Sequence, residues 1–366
     1  MTRVYLDWNA TSPPHEDVIA AMRRAAEDAW GNPSSVHARG RAARALVEDV
    51  RERLAAIVGA HARDVVFTSG GTEANNLALR SATALVTSRL EHPSVVRAAE
   101  ALAGPVEWLP VPPSGRIDAD DVARALERLP AGATVALMAV NHETGVIQPV
   151  REVLARTRAA GARLHVDAVQ ALGKLDPAEW AQADSIALAA HKIRGPKGVG
   201  ALVWRGSPAL LTPLLQGGAQ ERGLRPGTVD PVAVAGFGAA LERVDVGPAR
   251  NLELGLLRDA LETALAGRVQ RNATEHRLGH VSNLSVPGRS GDELVAALDL
   301  AGVEISSGSA CSAGTAEPSP VITAMHGIER ARSALRVSLG ETTTRSELDH
   351  AIAVLCRILT RESSST

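Results

Sequence analysis

The chain has 366 residues, of which 45% are hydrophobic and 22% charged, a composition typical of a soluble globular protein with room for roughly two domains. A formal charge of −2 and an aromatic content of 2% exclude a broad positive field for nucleic acid or anionic membranes, and exclude platforms for base stacking. With no secretion leader, no run of about 18 apolar residues and only two cysteines, Cys311 and Cys356, we expect a cytoplasmic protein without membrane contacts, disulfide framework or metal site.

Short apolar runs alternate with helical patterns between residues 64 and 204, which predicts an α/β fold with a mostly parallel sheet covered by helices on both faces. The seven predicted strands are 65–68, 85–87, 106–109, 134–140, 163–167, 185–189 and 201–204. The predicted helices between them are 72–79, 93–102, 120–129 and 150–160. We assign these elements to one large domain over residues 15–245.

The pattern changes beyond residue 246. The predicted elements there are a helix at 249–265, a strand at 280–286, a helix at 292–301, short strands near 303–306 and 335–338, and a terminal helix. The terminal helix opens with Thr344 and Glu347 at the spacing of a capping box. Residues 246–366, together with residues 1–14, are predicted to form a smaller α+β domain.

A glycine pair marks the first candidate binding feature. Residues 68–76 read TSGGTEANN, a strand that ends in two glycines before a helix predicted to begin at Thr72. Free backbone N–H groups and the positive end of the helix dipole meet there, which suits a phosphate. The same residues are equally typical of an ordinary turn followed by a helix cap.

Polar side chains follow several predicted strands at their carboxyl ends. His92, His142, Asp167 and Lys192 each lie at or just after the end of a strand. Because ligands of parallel α/β sheets bind at this edge, we expect these side chains to lie close together.

Lys192 and Asp167 are the pair that pyridoxal 5′-phosphate (PLP) requires. The amine bonds the aldehyde, and the carboxylate keeps the pyridine nitrogen protonated so that the ring accepts electrons. His92 is suited to stack on the ring and to transfer protons. The alternatives are a surface lysine on a loop, an aspartate that caps a turn, and a histidine that ends a strand before a helix at Pro93.

The two cysteines have different surroundings. Cys311 lies in the run SSGSACSAG at 306–314, whose residues are too small to build a core, so we expect a thiol presented on a loop. Cys356 lies beside Leu355 and Leu359 on the terminal helix, where it is expected to fill a core.

Arg336 is the one charged residue in the predicted strand 335–338. A guanidinium in that setting needs a carboxylate partner. The sequence leaves open whether an amino-acid substrate or an internal salt bridge supplies it.

These motifs resemble the cysteine desulfurases of the NifS/IscS group, in the class-V aminotransferase family of fold-type I PLP enzymes. The resemblance runs from residue 4 to the terminal helix. Its motifs are VYLDWNAT at 4–11, GNPSSVH at 31–37, TSGGTEANN at 68–76, EH at 91–92, NHETG at 141–145, HVDAVQ at 165–170, HK at 191–192, ERGLRPGT at 221–228 and SSGSACSAG at 306–314.

The resemblance implies a set of residues that bind PLP. Lys192 would carry the aldehyde, Asp167 would pair with the pyridine nitrogen, Gln170 would bind the phenolic oxygen and His92 would stack on the ring. The full set is Gly71, Thr72, His92, His142, Asp167, Gln170, His191, Lys192 and Thr228.

Four residues of this set concern the phosphate and the oligomeric state. The resemblance implies that Gly71, Thr72 and His191 hold the phosphate within one subunit. Thr228 would reach the same phosphate from the other subunit of a homodimer.

The resemblance also implies the reaction and its catalytic residues, Lys192, Cys311 and His92. Arg336, assisted by Asn32, would hold the carboxylate of L-cysteine. The Cys311 thiolate would attack the substrate sulfur, leaving L-alanine and a persulfide. The sulfur would then pass to an acceptor, such as a scaffold protein for iron–sulfur cluster assembly or a thiolation enzyme.

Two positions depart from the family pattern. His142 stands where the family commonly has an asparagine before a glutamate, and Ala189 stands where it commonly has a serine that binds the phosphate. The missing hydroxyl is worth about 0.5–1.5 kcal/mol, so we expect somewhat weaker PLP binding or compensation by His142.

Two kinds of alternative function stay open at this point. The same fold supports a selenocysteine lyase, a kynureninase-like hydrolase or an aminotransferase, and Cys311 separates these from a desulfurase because transamination has no use for it. A non-catalytic sulfur-transfer scaffold is the other alternative, and the joint presence of Lys192, Asp167, His92 and Cys311 disfavours it.

Overall fold

The computed structural model of the protein describes residues 3–308 and 317–360. The predicted nucleophile Cys311 lies outside these residues. In the described part of the chain, no helix has the length and apolar character needed to cross a membrane.

The described part of the chain contains twelve strands and twelve α-helices. The strands are β1 (Val4–Tyr5), β2 (Val65–Thr68), β3 (Leu85–Ser88), β4 (Val106–Leu109), β5 (Thr134–Met138), β6 (Arg163–Asp167), β7 (Ser185–Ala189), β8 (Gly200–Trp204), β9 (Gln270–Arg271), β10 (Val281–Ser285), β11 (Val303–Glu304) and β12 (Ala334–Ser338). The α-helices are α1 (Glu16–Asp28), α2 (Ala38–Ile57), α3 (Gly71–Leu79), α4 (Pro93–Glu100), α5 (Ala119–Leu126), α6 (Val150–Ala159), α7 (Pro231–Leu241), α8 (Gly247–Ala264), α9 (Gly291–Leu300), α10 (Pro320–His326), α11 (Ile328–Arg332) and α12 (Arg345–Thr360).

A seven-stranded sheet forms the centre of the larger part of the molecule, in the order β2-β8-β7-β6-β5-β3-β4. The strands from β7 to β4 are parallel, and β8 is antiparallel to both β7 and β2. In β2, β3, β5, β7 and β8 every residue is buried, which is why these strands appear in the sequence as continuous apolar runs. The predicted seven-stranded, mostly parallel sheet is confirmed.

The helices that pack on this sheet were predicted only in part. Helices α3 to α6 match the predicted ranges, although the predicted ends of α4 and α5 ran two to three residues too far. Helices α1, α2 and α7 were not predicted. Helix α7 is buried at all but one of its 11 residues, so it lacks the polar face that would mark an amphipathic helix.

A second, smaller core lies around two short sheets. Strand β10 pairs antiparallel with β9 and β12, and β1 pairs in parallel with β11. Apolar residues of α8, α9 and α12 cover these strands. The predicted capping box of α12 is present, because the Thr344 amide donates to Glu347 Oε2 at 2.7 Å and the Glu347 amide donates to Thr344 Oγ1 at 3.2 Å.

The domain boundaries stay a prediction. The large domain was predicted over residues 15–245, and the small one over residues 1–14 with 246–366. Val321 and Ile322, within the second range, belong to the larger core, whereas Leu6 belongs to the smaller one.

The N-terminal segment after β1 connects the two cores. Asp7 forms a β-bridge with Ser338, next to the smaller core. Five residues later, the Ser12 amide donates to the carbonyl of His191, beyond the carboxyl end of β7. The segment therefore crosses the edge of the seven-stranded sheet where the candidate site lies.

Candidate active site

Parallel pairing brings the predicted site residues to one edge of the sheet. Asp167, the last residue of β6, pairs with Met138 of β5 and Ala187 of β7. Lys192 ends a short 3-10 turn that begins directly after β7. Asp167 and Lys192 therefore lie at the same edge of the sheet, where the parallel strands end.

Lys192 is held by the N-terminal segment. Its Nζ donates to the carbonyl oxygens of Asn9 at 2.6 Å and Ala10 at 2.8 Å. Asn9 is 2% exposed, and its side chain bonds the carbonyl of His142 and the ring of His280. The amine is therefore positioned by a buried asparagine whose partners lie far apart in sequence.

The Asp167 carboxylate is oriented by two donors. Asn75 Nδ2 donates to Oδ2 at 2.7 Å and the Val169 amide donates to Oδ1 at 3.0 Å. Asn75 Oδ1 in turn lies 2.9 Å from His165 Nε2, and burial lowers the pKa of His165 to about 3, so this imidazole is neutral. A neutral ring leaves the negative charge of Asp167 available to a cationic partner.

Gln170 lies between the N-terminal segment and a second lysine. Its Nε2 donates to the Asn9 carbonyl at 3.0 Å, and its Oε1 accepts from Lys174 Nζ at 2.5 Å. Burial, with the nearby charges of Lys192 and Arg336, lowers the pKa of Lys174 to about 7.

The N-terminus of α3 is open to an anion. Helix α3 begins at Gly71, one residue before the predicted start, and no side chain caps it. A Cβ at position 71 would lie 2.5 Å from Val169 Cγ2, so only glycine fits, and it would lie 3.9 Å from the Cβ of Ala189. The uncapped N–H groups, with Thr72 exposed beside them, suit a phosphate.

His191 contributes a neutral imidazole near this region. Its Nδ1 lies 3.2 Å from Thr11 Oγ1. Burial, with the positive charge of Lys192 and more distant lysines, lowers the pKa of His191 to about 3. Thr228 is exposed on the surface of this single chain.

His92 and His142 face each other at the site. Their ring centroids are 5.3 Å apart and their planes meet at 72°. His92 also has the structural role that the sequence left as an alternative. Its Nδ1 caps α4 by accepting from the Ser94 amide at 3.1 Å.

Both ring nitrogens of His142 are buried, and neither has a hydrogen-bond partner among the described residues. Burial lowers its pKa well below the usual value, and the nearby His92, Arg336 and Lys192 lower it further. Buried polar atoms without partners are rare, so a neutral imidazole with two unpartnered nitrogens points to a ligand.

Arg336 is buried and forms the internal salt bridge that the sequence left as an alternative. Its Nη2 donates to Asp7 Oδ1 at 2.7 Å and its Nη1 to the His142 carbonyl at 3.1 Å. Its Nε has no described partner. To bind a substrate carboxylate as predicted, Arg336 would use Nε, which has no described partner, and would exchange the carboxylate of Asp7 for that of the substrate.

Asn32 lies apart from these residues. It is exposed, and its Oδ1 accepts from the Ser34 amide at 2.9 Å, as in an Asx-turn. Among the described contacts, none joins it to Arg336.

The residues present fit PLP. An amine, a buried carboxylate, an amide, an uncapped helix N-terminus and an unpartnered imidazole meet at one sheet edge, and a ring with a phosphate would use all of them. Motif analysis did not assign roles to Asp7, Asn9, Asn75 or Lys174. The first three lie within quoted motifs, so their residue types were visible but their partners were not.

Comparisons with known proteins identify the family. The model of the class-V aminotransferases matches residues 4–350. A cysteine desulfurase of Cereibacter sphaeroides is 40% identical over 377 residues, covering 97% of this chain and 95% of that protein.

Solved structures give the same result. The structure of a NifS-like protein has a TM-score of 0.89 at 29% identity, covering 98% of this chain and 100% of that one. The structure of SspA in complex with cysteine has a TM-score of 0.80 at 30% identity, covering 93% of this chain and 100% of that one. The chain therefore belongs to the class-V aminotransferase family of PLP enzymes and, within that family, to the cysteine desulfurases.

Proposed function

We propose that this protein removes sulfur from L-cysteine, giving L-alanine and a persulfide on Cys311. The observation that carries this proposal is the joint position of Lys192 and Asp167 at the carboxyl ends of neighbouring parallel strands. PLP, when bound, supplies an electron sink conjugated to the α-carbon of the substrate.

The chain's own residues have separate tasks. Lys192 would bind the aldehyde and, as a free amine, would move the proton at the α-carbon. Asp167, oriented by Asn75, would keep the ring nitrogen protonated, and Gln170 would bind the phenolic oxygen. His92 would stack on the ring, and His142 would offer one N–H donor and one acceptor in its neutral form. Arg336 binds the substrate carboxylate.

The sulfur-transfer step is a displacement at the substrate sulfur. The Cys311 thiolate forms an S–S bond as the Cβ–S bond of the substrate breaks, and the electron pair passes to the carbon, which a proton then converts to the methyl group of alanine. No external oxidant is needed, because the carbon is reduced as the sulfur is oxidised.

Mass spectrometry tests the proposal directly. After incubation of the PLP-loaded protein with L-cysteine, we expect one added sulfur on the Cys311 peptide, its loss on treatment with a thiol reductant, and none in Cys311→Ser. If Cys311→Ala still forms alanine from L-cysteine at the wild-type rate, a lyase-type reaction replaces the proposal. A protein that neither binds PLP nor is fixed to it at Lys192 by borohydride is an inactive scaffold.

We further propose a homodimer in which Gly71, Thr72 and His191 bind the phosphate of one subunit and Thr228 reaches it from the other. The exposure of Thr228 in the single chain supports this arrangement. Sedimentation should give twice the chain mass, and Thr228→Ala should weaken PLP binding without dissociating the dimer. A monomer that binds PLP with full affinity contradicts it.

The proposed acceptor is a cytoplasmic protein, such as an iron–sulfur scaffold or a thiolation enzyme. A location in a reducing compartment suits a chain with only two cysteines, one of them a nucleophile.

A further inference from the structure

Lysine is unusually scarce in this chain. Of its 39 basic residues all but three are arginines, and lysine occurs only at positions 174, 192 and 197. Arginine is always charged, whereas a lysine amine is a compact point charge that can lose its proton when buried. Of the three lysines, Lys197 is exposed, whereas Lys174 donates to Gln170 beside Lys192.

We propose that Lys174 is a positioning residue, which fixes the amide of Gln170 toward the cofactor and, when protonated, places a second positive charge near Lys192. This inference rests on the proposed function, because Gln170 acts on PLP.

A continuous set of hydrogen bonds links the two lysines. Lys174 Nζ donates to Gln170 Oε1, Gln170 Nε2 donates to the Asn9 carbonyl, and Lys192 Nζ donates to the same carbonyl at 2.6 Å. A protonated lysine amine only donates hydrogen bonds, so it pairs with the oxygen end of the amide. The NH₂ end of Gln170 must then face Asn9 and the cofactor side.

The charge on Lys174 is not neutralised locally. In the described part of the chain, Lys174 forms no ion pair with a carboxylate. The groups that interact electrostatically with it include Lys192, Arg336, His191 and His280, which are cationic or neutral. Its positive potential therefore extends to Lys192.

The far side of Lys174 faces a cavity of about 640 Å³ that Lys192 also lines. The other charged groups around this cavity are Arg194 and Arg243, both paired with Glu341, and Arg250, paired with Glu253. The carboxylates of Glu341 and Glu253 already pair with these arginines, so they do not neutralise the positive charge of Lys174.

The test compares Lys174→Met, Lys174→Arg and, as a matched control, Lys197→Met, which removes an exposed lysine. Two measurements are made on the whole protein: the Kd for PLP from titration of the apoprotein, and the pH midpoint of the visible absorbance change of the PLP-loaded protein. Thermal unfolding of each apoprotein checks folding, and Lys174→Gln replaces Lys174→Met if the latter does not fold.

We expect Lys174→Met to raise the Kd by about 2- to 10-fold, the loss of one oriented hydrogen bond. We also expect it to raise the pH midpoint by about half a unit or more, because removal of a positive charge favours the protonated chromophore. Lys174→Arg should retain the midpoint, and Lys197→Met should change neither value. In a Gln170→Ala background, Lys174→Met should have little further effect on the Kd.

The proposal is overturned if Lys174→Met leaves both the Kd and the midpoint at wild-type values, or if it weakens binding equally with and without Gln170. These outcomes differ from failure of the proposed function, in which the wild-type protein itself gives no PLP absorbance band.

Discussion

At the scale of single residues, Ala189 is the position where the site lacks a hydroxyl. The Cβ of Ala189 lies beside Gly71 at the open N-terminus of α3, so a serine there would reach the phosphate region. We expect Ala189→Ser to lower the Kd for PLP by about 2- to 10-fold, the value of one added hydrogen bond. Titration of the apoprotein measures this change, and an unaltered Kd would show that other donors already satisfy the phosphate.

The two cysteines should differ in reactivity. Cys356 is half-buried, packs against the smaller core, and its Sγ lies 3.9 Å from the Ala264 carbonyl. We expect an alkylating reagent to label Cys311 at least about tenfold faster than Cys356 in the folded protein. Peptide mapping after brief exposure measures both rates, with Cys311→Ala as the control, and equal rates would contradict the prediction.

Residue chemistry was predictable where it followed a local pattern. Lys192, Asp167 and His142 were selected because each lies at or just after the end of a buried strand. Asn9 was missed because its contacts lie 133 and 271 positions away, at His142 and His280. A short stretch of sequence contains no information about contacts between residues that lie so far apart in the chain.

At the scale of elements, a buried ion pair holds the segment that carries Thr228. Glu221 and Arg222 have left-handed backbones, with φ of 48° and 58°. The Glu221 carboxylate accepts from both terminal nitrogens of Arg51 and from the Phe67 amide. These bonds connect helix α2 and strand β2 to the segment.

We expect Arg51→Met to lower the free energy of unfolding by about 3–5 kcal/mol, because it leaves a buried carboxylate unpaired. Arg53→Met, two residues along α2, should cost less than about 1 kcal/mol, since its ion pairs with Asp49 and Glu242 are solvent-exposed. Denaturant unfolding of both variants gives the comparison. Equal losses of unfolding free energy in the two variants would contradict the prediction that the buried ion pair of Arg51 stabilises the fold more than the exposed pairs of Arg53.

Strands were easier to predict than helices in this chain. A strand buried on both faces leaves an apolar run, and such runs marked the seven-stranded sheet. Helix α7 leaves a similar apolar run of greater length without a polar face, and helix α2 carries many arginines that obscure its buried face. Tertiary burial, which the local pattern does not contain, formed these helices.

At the scale of the whole molecule, buried neutral histidines make stability depend on pH. Burial lowers the pKa of His165 to about 3 in the folded chain, whereas an unfolded histidine has a pKa near 6.5. Between these values the unfolded chain binds a proton that the folded chain does not, so stability falls as the pH falls through this window.

We expect His165→Gln to reduce the slope of unfolding free energy against pH by about 1 kcal/mol per pH unit between pH 6 and 5. Denaturant unfolding at several pH values measures the slope. Above pH 8 the two proteins should show parallel curves, and identical slopes at acid pH would exclude His165 as a source of acid sensitivity.

The pairing of β1 with β11 has a consequence for biosynthesis. Val4 leaves the ribosome first, but its partner Val303 follows only after most of the chain has been translated. At about 5–20 residues per second this wait is on the order of half a minute. Until then β1 lacks its strand partner, and the segment that carries Asn9 is held only from its other end, where the Ser12 amide donates to the His191 carbonyl.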